Sequence, residues 1–361
     1  MMPESFLDWV ETATRFVIFG AAILLMALFV FYLLICPLED GRRFRLLFLP
    51  NKLILVLLSV GLVAQIAWTI ELLVSLSSET GLTAEECWAF LFGTRFGRLG
   101  LLRCCLLGAL LGYRVIHLLR GVGSLSNDRS ARIRRSRSDA DGGDGVLEGR
   151  RTRLCSSPEK RSLIGILESL PLRPLEPGLW LEAGLVLAQL ASLAWLGHAG
   201  AGVGPWGNVQ LGADLVHLVG SAVWPAGLFP LLLCLKLAIP QEIKETALRR
   251  FSDLSVVMVV IIGGTGVLNA CFRLQDLSQI VTTSYGKYIF LKTVCFLLLI
   301  CFGAVNRLKL IPRLRGTAQD ISPARESWLA LRRNVLIEQL LFVIVLVAVA
   351  RLGLLPPPHE A

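Results

Sequence analysis

Long apolar segments alternate with polar ones along the chain, and each apolar segment is close to the ~20 residues that a helix needs to cross a bilayer. There are eight of them, at about 13–36, 53–76, 99–119, 179–196, 211–235, 254–272, 288–305 and 335–355. We therefore predict an all-α membrane protein with eight transmembrane helices. Composition supports this, because 54% of the 361 residues are hydrophobic and 17% are charged, whereas ordinary soluble chains carry roughly 25% charged residues.

Basic residues are concentrated in alternate loops, which predicts how the helices are oriented. The first, third, fifth and seventh loops carry most of the Lys and Arg residues, and the even loops are acidic, uncharged or mixed. Because basic loops face the cytoplasm, we predict that both termini are periplasmic. The formal charge of +9 then reports orientation and not nucleic-acid binding. Glu4, Asp8 and Glu11 make the N-terminus acidic, so the first helix is interpreted as retained and not as a cleaved signal peptide.

A long polar segment at 121–175 divides the chain into two membrane regions. It contains RIRRSRS and DGGDG runs and cannot bury a core, which predicts a disordered, basic cytoplasmic linker. A basic run beside a membrane also suits binding to anionic lipid. The expected domains are an N-terminal membrane unit of three helices at 1–120, this linker, and a five-helix membrane domain at 176–361.

Two similar motifs indicate an internal repeat. Thr94-Arg-Phe-Gly-Arg-Leu-Gly-Leu-Leu-Arg103 lines up with Thr283-Ser-Tyr-Gly-Lys-Tyr-Ile-Phe-Leu-Lys292, and each enters its helix from the predicted outer side. The alignment pairs Thr with Thr, Gly with Gly and two cations with two cations. We therefore predict two four-helix units in the same orientation, which is a parallel repeat.

Two histidines are predicted to lie close together at the outer side. His198 ends the fourth apolar segment, His217 lies one to two turns into the fifth, and a short Gly-rich loop joins the two helices. Asp214 lies one turn outward of His217 on the same stripe. Because imidazole suits copper and zinc, we predict a metal site of His198, His217 and Asp214. Asp214 would either orient the His217 ring or bind the metal itself.

Other residues at a similar depth are expected to support this site. Trp224 lies on the His217 stripe, and Thr265 and Asn269 share a face of the sixth helix. Cys271 lies at the outer end of that helix and, as a soft ligand, is an additional candidate for binding Cu(I).

Two ionisable residues are placed inside later spans and are functional candidates for that reason. Lys292 lies about two turns into the seventh helix and is expected to pair with one of the outer-side aspartates, Asp214 or Asp276. Glu338 lies one turn from the cytoplasm, where Arg307 or Arg332 could pair with it. No P-loop, GxSxG or HExxH motif is present, so we predict no enzymatic activity.

An ordered set of motifs in the second half resembles the copper resistance D (CopD) family of bacterial inner-membrane proteins. The set comprises Trp195-Leu-Gly-His-Ala, Asp214-Leu-Val-His217-Leu with Trp224 and Gly227, Arg250-Phe-Ser, Gly264-Thr-Gly with Asn269, Tyr285-Gly-Lys with Lys292, Asn306-Arg307, and Glu338. The resemblance implies eight spans, copper as the ion, His198 and His217 as its ligands with Asp214 beside them, and a small periplasmic copper protein as partner.

These residues and motifs leave three functional hypotheses. The first is a copper transport or copper resistance protein of the inner membrane that takes copper at an outer His site and passes it across or into the membrane. The second is a b-type cytochrome-like redox protein, in which histidines hold haem. The third is an accessory protein that delivers copper to an oxidase. The copper oxidation state and the oligomeric state are left open.

Overall fold

The computed structural model describes residues 4–36, 49–80, 83–135, 177–196, 204–237, 239–316, 321–356 and 358. These residues form helices and connecting turns, with no strand among them. Eight of the helical segments are long and apolar enough to cross a membrane. The predicted all-α fold with eight spans is therefore confirmed.

Twelve α-helices make up the part of the chain that the structure describes. They are α1 (Glu4–Val30), α2 (Asn51–Thr80), α3 (Ala84–Gly93), α4 (Arg95–Arg135), α5 (Pro177–Ser192), α6 (Gly204–Val223), α7 (Leu228–Lys236), α8 (Gln241–Arg273), α9 (Gln279–Thr282), α10 (Ser284–Val305), α11 (Ile311–Gly316) and α12 (Ile321–Leu352). Short π-helical turns follow α1 at Phe31–Ile35 and α10 at Asn306–Leu310, and a 3₁₀ turn follows α5 at Leu193–Leu196.

Helix α1 lies at the centre of the bundle. It packs against α2 and α5, which also contact α4, and against α6 and α12 from the second half of the chain. In that second half α6 packs on α8, α8 on α10, α10 on α12 and α12 on α7. A duplicated four-helix unit would give this order of contacts; the parallel repeat itself stays a prediction.

Exposed tryptophans mark one end of the bundle. Trp9 at the start of α1, Trp88 in α3 and Trp206 at the start of α6 are all exposed. Trp is enriched at membrane interfaces, where its ring is apolar and its N–H is polar. We call this end, which the loop charges predict to be periplasmic, the outer end, and the opposite one the inner end.

The two turns that carry the repeated motif have the same geometry. The hydroxyl of Thr94 accepts from the N–H of Gly97 at 3.0 Å and donates to the Phe90 carbonyl at 2.7 Å. Thr283 makes the same pair of bonds, at 3.0 Å from the N–H of Gly286 and 2.7 Å to the Gln279 carbonyl. In both turns a short preceding helix folds onto the glycine, which therefore has no room for a side chain.

The fifth span is interrupted in its middle, which the apolar pattern does not predict. Residues 224–227 form a turn between α6 and α7. Pro225 lacks the N–H that would bind the Ser221 carbonyl, and the N–H of Ala226 donates to that carbonyl at 3.1 Å instead. The Pro225 carbonyl in turn accepts from the side chain of Gln339 on α12 at 2.9 Å. The break is thus hydrogen-bonded to the neighbouring helix.

The predicted linker falls largely outside the described residues. Helix α4 continues to Arg135, so the first part of the segment at 121–175 is helical. Residues 136–176 lie outside the described part of the chain, and the division into domains at 1–120, 121–175 and 176–361 stays a prediction.

The orientation can be tested by cysteine accessibility. In a cysteine-free background we expect Ser278→Cys, in the loop before α9, to react with a membrane-impermeant maleimide added to intact cells. Lys309→Cys, at the inner end of the seventh span, should react only after the membrane is opened, because basic loops stay inside. Labelling of Lys309→Cys in intact cells would show that the orientation is the opposite of the predicted one.

The turn at Gly286 gives a stability test. A Cβ there would overlap the backbone of Gln279 and Ile280, so we expect Gly286→Ala to destabilise the protein by about 1–3 kcal/mol. Gly303 lies on the same helix with open space beside it, and Gly303→Ala should be neutral or stabilising by up to about 1 kcal/mol. Thermal unfolding in detergent measures both, and equal effects would refute the close packing at Gly286.

Candidate metal site

The candidate site lies between α6 and α8, which approach each other closely well inside the bundle. His217 lies about 20 Å along α6, which begins at Gly204. It is therefore deeper than the predicted one to two turns, because α6 begins before the apolar segment does. A Cβ on Gly220 of α6 would lie 2.9 Å from Cγ1 of Ile262 on α8. A Cβ on Gly266 of α8 would lie 3.5 Å from Cε1 of His217. The two glycines thus let the helices meet and let the His217 ring rest against the backbone of α8.

His217 is held in one tautomer by a threonine. The Thr265 hydroxyl donates its single hydrogen to the Ile261 carbonyl at 2.6 Å. The contact of 3.0 Å between Thr265 Oγ1 and His217 Nδ1 is therefore one in which the imidazole donates. This assigns the proton to Nδ1 and leaves the lone pair on Nε2. A lone pair on a fixed ring nitrogen is what a metal ion requires of histidine.

Asp214 forms an ion pair with Arg273. Nη2 of Arg273 lies 2.7 Å from Oδ2 of Asp214, and both side chains are largely buried, with 18% and 14% exposed. Helical spacing places Asp214 beside His217, but in the structure Nδ1 of His217 is hydrogen-bonded to Thr265 and not to Asp214. The apolar pattern puts Arg273 in a loop, whereas it is the last residue of α8. Its spacing from Thr265 and Asn269, at i, i+4 and i+8, is the signal that identifies it with this face.

Two further polar side chains complete the surroundings of His217. Asn269 is buried, and its side-chain oxygen has no hydrogen-bond partner among the described residues. Lys292 of α10 is half-buried. Its charge and that of Arg273 both act on the His217 ring, and the charge of Asp214 acts on Lys292. The expected link between Lys292 and Asp214 is therefore electrostatic, while the direct ion pair of Asp214 is with Arg273.

The other predicted residues, Cys271 and Trp224, do not join His217 in the structure, and His198 is not among the described residues. His198 lies in 197–203, outside the described residues, so its pairing with His217 stays a prediction. Cys271 is exposed and is turned about 200° from Asn269 by the helical repeat. Trp224 is buried in the core, where its ring meets that of Phe296 edge-on at 6.0 Å.

Glu338 belongs to a separate buried network at the inner end. Its carboxylate accepts from the side chain of Asn306 at 2.7 Å, and Asn334 donates to Asn306 at 2.8 Å. The sequence analysis expects Arg307 or Arg332 to pair with Glu338. Arg307 instead binds Asp253 at 3.0 Å, because both lie toward the inner end of the bundle. Glu338 is therefore held by amides.

The described residues do not by themselves form the predicted copper site. They contain no group of three or more His, Cys, Asp and Glu side chains able to hold a metal ion. They do provide the Nε2 lone pair of His217, with Asp214 engaged by Arg273 and a second cation, Lys292, nearby. A copper ion held here requires at least one more ligand, for which His198 is the predicted candidate.

The fold and this site define a class: a multi-pass helical membrane protein with a histidine placed between two of its helices. Residues 245–352 match the family model described as "Copper resistance protein D". Over these residues the chain is therefore similar to the CopD family, and the resemblance of its motifs to that family is confirmed. The matched residues include Thr265, Asn269, Lys292 and Glu338, whereas Asp214 and His217 precede them.

Three curated proteins are similar to about half of this chain. It is 29% identical over 175 residues to "Inner membrane protein YebZ" of Escherichia coli, covering 48% of this chain and 58% of that protein. It is 30% identical over 179 residues to "Copper resistance protein D" of Pseudomonas syringae pv. tomato, covering 48% and 57%. It is 28% identical over 180 residues to "Copper transport protein CutJ" of Bacillus subtilis, covering 49% and 30%. No solved structure matches.

The alignments cover only part of each relative. The chain spans a little over half the length of two of these relatives and less than a third of the other. The shared part identifies a membrane protein connected with copper.

The Asp214–Arg273 pair can be tested by a double-mutant cycle. We expect Asp214→Asn and Arg273→Gln each to lower stability by about 1–3 kcal/mol, because each removes an ion pair between largely buried side chains. The double variant should lose less than the sum, with a coupling of about 1 kcal/mol or more. Thermal unfolding of the purified protein measures this.

The Asp253–Arg307 pair is the matched control, since its side chains are 29% and 39% exposed. Its coupling should stay below about 1 kcal/mol, as for surface ion pairs. Equal coupling in the two cycles would show that burial does not strengthen the Asp214–Arg273 pair.

Proposed function

We propose that this protein is a copper transport or copper resistance protein of the bacterial inner membrane. It receives copper at the outer end, at a site centred on His217, and passes it across or into the membrane. The observation that carries the proposal is the bond from His217 to Thr265, which leaves Nε2 as a metal-binding atom. His198 is proposed as the second imidazole, and the donor as a small periplasmic copper protein.

The charges around His217 favour transfer over storage. Arg273 and Lys292 contribute two positive charges near the ring, and Asp214 contributes one negative charge. A copper cation entering this field is repelled by the surplus positive charge, so binding is weaker than at a site lined by carboxylates. A transport site needs this balance, since the ion must be able to leave.

A copper ion could also change the ion pair. If Asp214 turned from Arg273 to bind copper, it would supply a negative ligand, and Arg273 would be released at the outer surface. This step assigns Asp214 the ligand role, and the Arg273 pair is then its resting state. No reaction is catalysed in this scheme; the protein binds and moves the ion.

Copper binding to purified full-length protein tests the proposal. We expect His217→Ala and His198→Ala each to remove most binding, with little further loss in the double variant, because the residues share one ligand. Competition with a copper chelator gives the affinity, and copper accumulation in whole cells gives the transport phenotype. His117 lies at the inner end of α4 and is exposed, so His117→Ala is the control and should bind normally.

Thr265 provides a sharper arm of the same experiment. Thr265→Val removes the acceptor for Nδ1 and should weaken copper binding about ten- to a hundredfold, whereas Thr265→Ser should retain it. Unchanged stoichiometry and affinity in the double histidine variant would refute the site. A haem absorption spectrum in the purified protein would favour the cytochrome-like alternative. Normal binding without accumulation would favour delivery to an oxidase.

A further inference from the structure

A second buried polar cluster lies in the first half of the chain, apart from the copper site. We call it the Arg103 cluster, and it consists of Arg103 on α4, Gln65 and Trp68 on α2, and Gln189 and Ser192 on α5. Arg103 is 1% exposed, Gln65 0% and Gln189 2%. Arg103 lies eight residues after the start of α4 at the outer end, or about 12 Å along the helix.

Direct contacts join the three helices around Arg103. Its Nη1 donates to the Ser192 carbonyl at 3.3 Å, and the Ser192 hydroxyl donates to the Gln189 carbonyl at 2.7 Å. The guanidinium carbon lies 5.9 Å from the centre of the Trp68 ring. Gln65 precedes Trp68 by three residues and so shares its face of α2. The spacing therefore places Gln65 on the face of α2 that meets Arg103, and Gln189 lies one turn before Ser192 on α5.

Several polar atoms of the cluster lack a protein partner. Four of them are buried without a hydrogen bond to any described residue: Nε2 and Oε1 of Gln65, Nε of Arg103 and Oε1 of Gln189. A buried amide or guanidinium N–H left in this state costs about 1–3 kcal/mol or more. Two donor nitrogens and two acceptor oxygens without a partner in one cluster indicate that a group other than the described residues binds there.

The charge of Arg103 is also uncompensated within the described part of the chain. Among those residues, no carboxylate forms an ion pair with it. Arg114 on the same helix is similarly buried, yet it binds Glu182 through two bonds of 2.6 and 2.8 Å. A guanidinium at membrane depth without an anion costs at least about 2.5–3.5 kcal/mol. The comparison within one helix indicates that an anion is missing at Arg103.

We propose that the Arg103 cluster binds a small monovalent anion of the halide class, together with a water molecule. The anion accepts from Nε of Arg103 and from the amide Nε2 of Gln65. The water donates one hydrogen to the anion and the other to Oε1 of Gln189, which is an acceptor. This site is separate from His217 and does not depend on the copper function.

The site can be tested with chloride on the purified full-length protein in the absence of copper. Unfolding temperature is measured while sodium chloride replaces sodium gluconate at constant ionic strength. An anion that binds only the folded protein raises this temperature as its concentration passes the dissociation constant. Equilibrium dialysis with radioactive chloride should give about one bound ion per chain, if the Arg103 cluster is the site.

Variants assign the binding to the cluster. Arg103→Met should abolish both the chloride-dependent rise and the bound ion, and Gln65→Leu should weaken them while keeping the charge. Arg98 is exposed on the same helix, so Arg98→Met should behave as the unsubstituted protein. If Arg103→Met does not fold, Gln65→Leu decides. Identical unfolding in chloride and gluconate with no bound chloride would mean that the cluster holds water only, and would overturn the proposal, as would normal chloride binding by Arg103→Met.

Discussion

The hydrocarbon core of a bilayer contains no water, so each polar group within a span must find its partner inside the protein. The bundle meets this requirement with bonds between helices. At the inner end Arg114 joins α4 to Glu182 of α5, and at the outer end Arg273 joins α8 to Asp214 of α6. Even the interruption of the fifth span is bonded, through Gln339 of α12. The choice of neighbours for each helix follows from where these partners lie.

The same constraint explains how the two halves of the chain come to differ. Arg103 and Lys292 occupy matching places in the repeated motif, each about two turns into its span. Arg103 is surrounded by neutral side chains and an aromatic ring. Lys292 is near an aspartate, an arginine and a histidine. One half thus keeps a buried cation among neutral groups, whereas the other places its cation among charged groups and a histidine.

The sequence is sufficient to predict the fold because span length and loop charge are properties of single segments. It also locates His217, Thr265 and Asn269 on facing helices, since helical periodicity places residues on a face. It does not assign partners across helices. Thr265 and Asp214 both lie within reach of the His217 ring by spacing, and the close approach of α6 to α8 at Gly220 and Gly266 selects Thr265.

The partners of Arg273 and Glu338 also differ from those that the sequence suggests, because pairing across helices is not visible in a local pattern. A charged residue after an apolar run is usually taken as the first residue of a loop, and the apolar pattern places Arg273 there. In the structure Arg273 pairs with Asp214 and is the last residue of α8. Sequence proximity favours an arginine for Glu338, whereas Asn306 donates to it across the helix contact and in turn accepts from Asn334 of α12. Pairing of this kind depends on helix rotation, which local pattern leaves undetermined.

The turn at 224–227 divides the fifth span into two short helices that meet inside the membrane. Each peptide unit of a helix carries a dipole, and these add to a partial negative charge at the C-terminus. In an unbroken span that negative pole would lie at the membrane surface, in contact with water. Here the C-terminus of α6 ends at Val223, so its pole lies within the hydrocarbon layer, where water does not screen it. The positive N-terminal pole of α7, which begins at Leu228, follows directly after the turn and opposes it. The break therefore places both poles inside the bilayer, where the amide of Gln339 bonds to the turn.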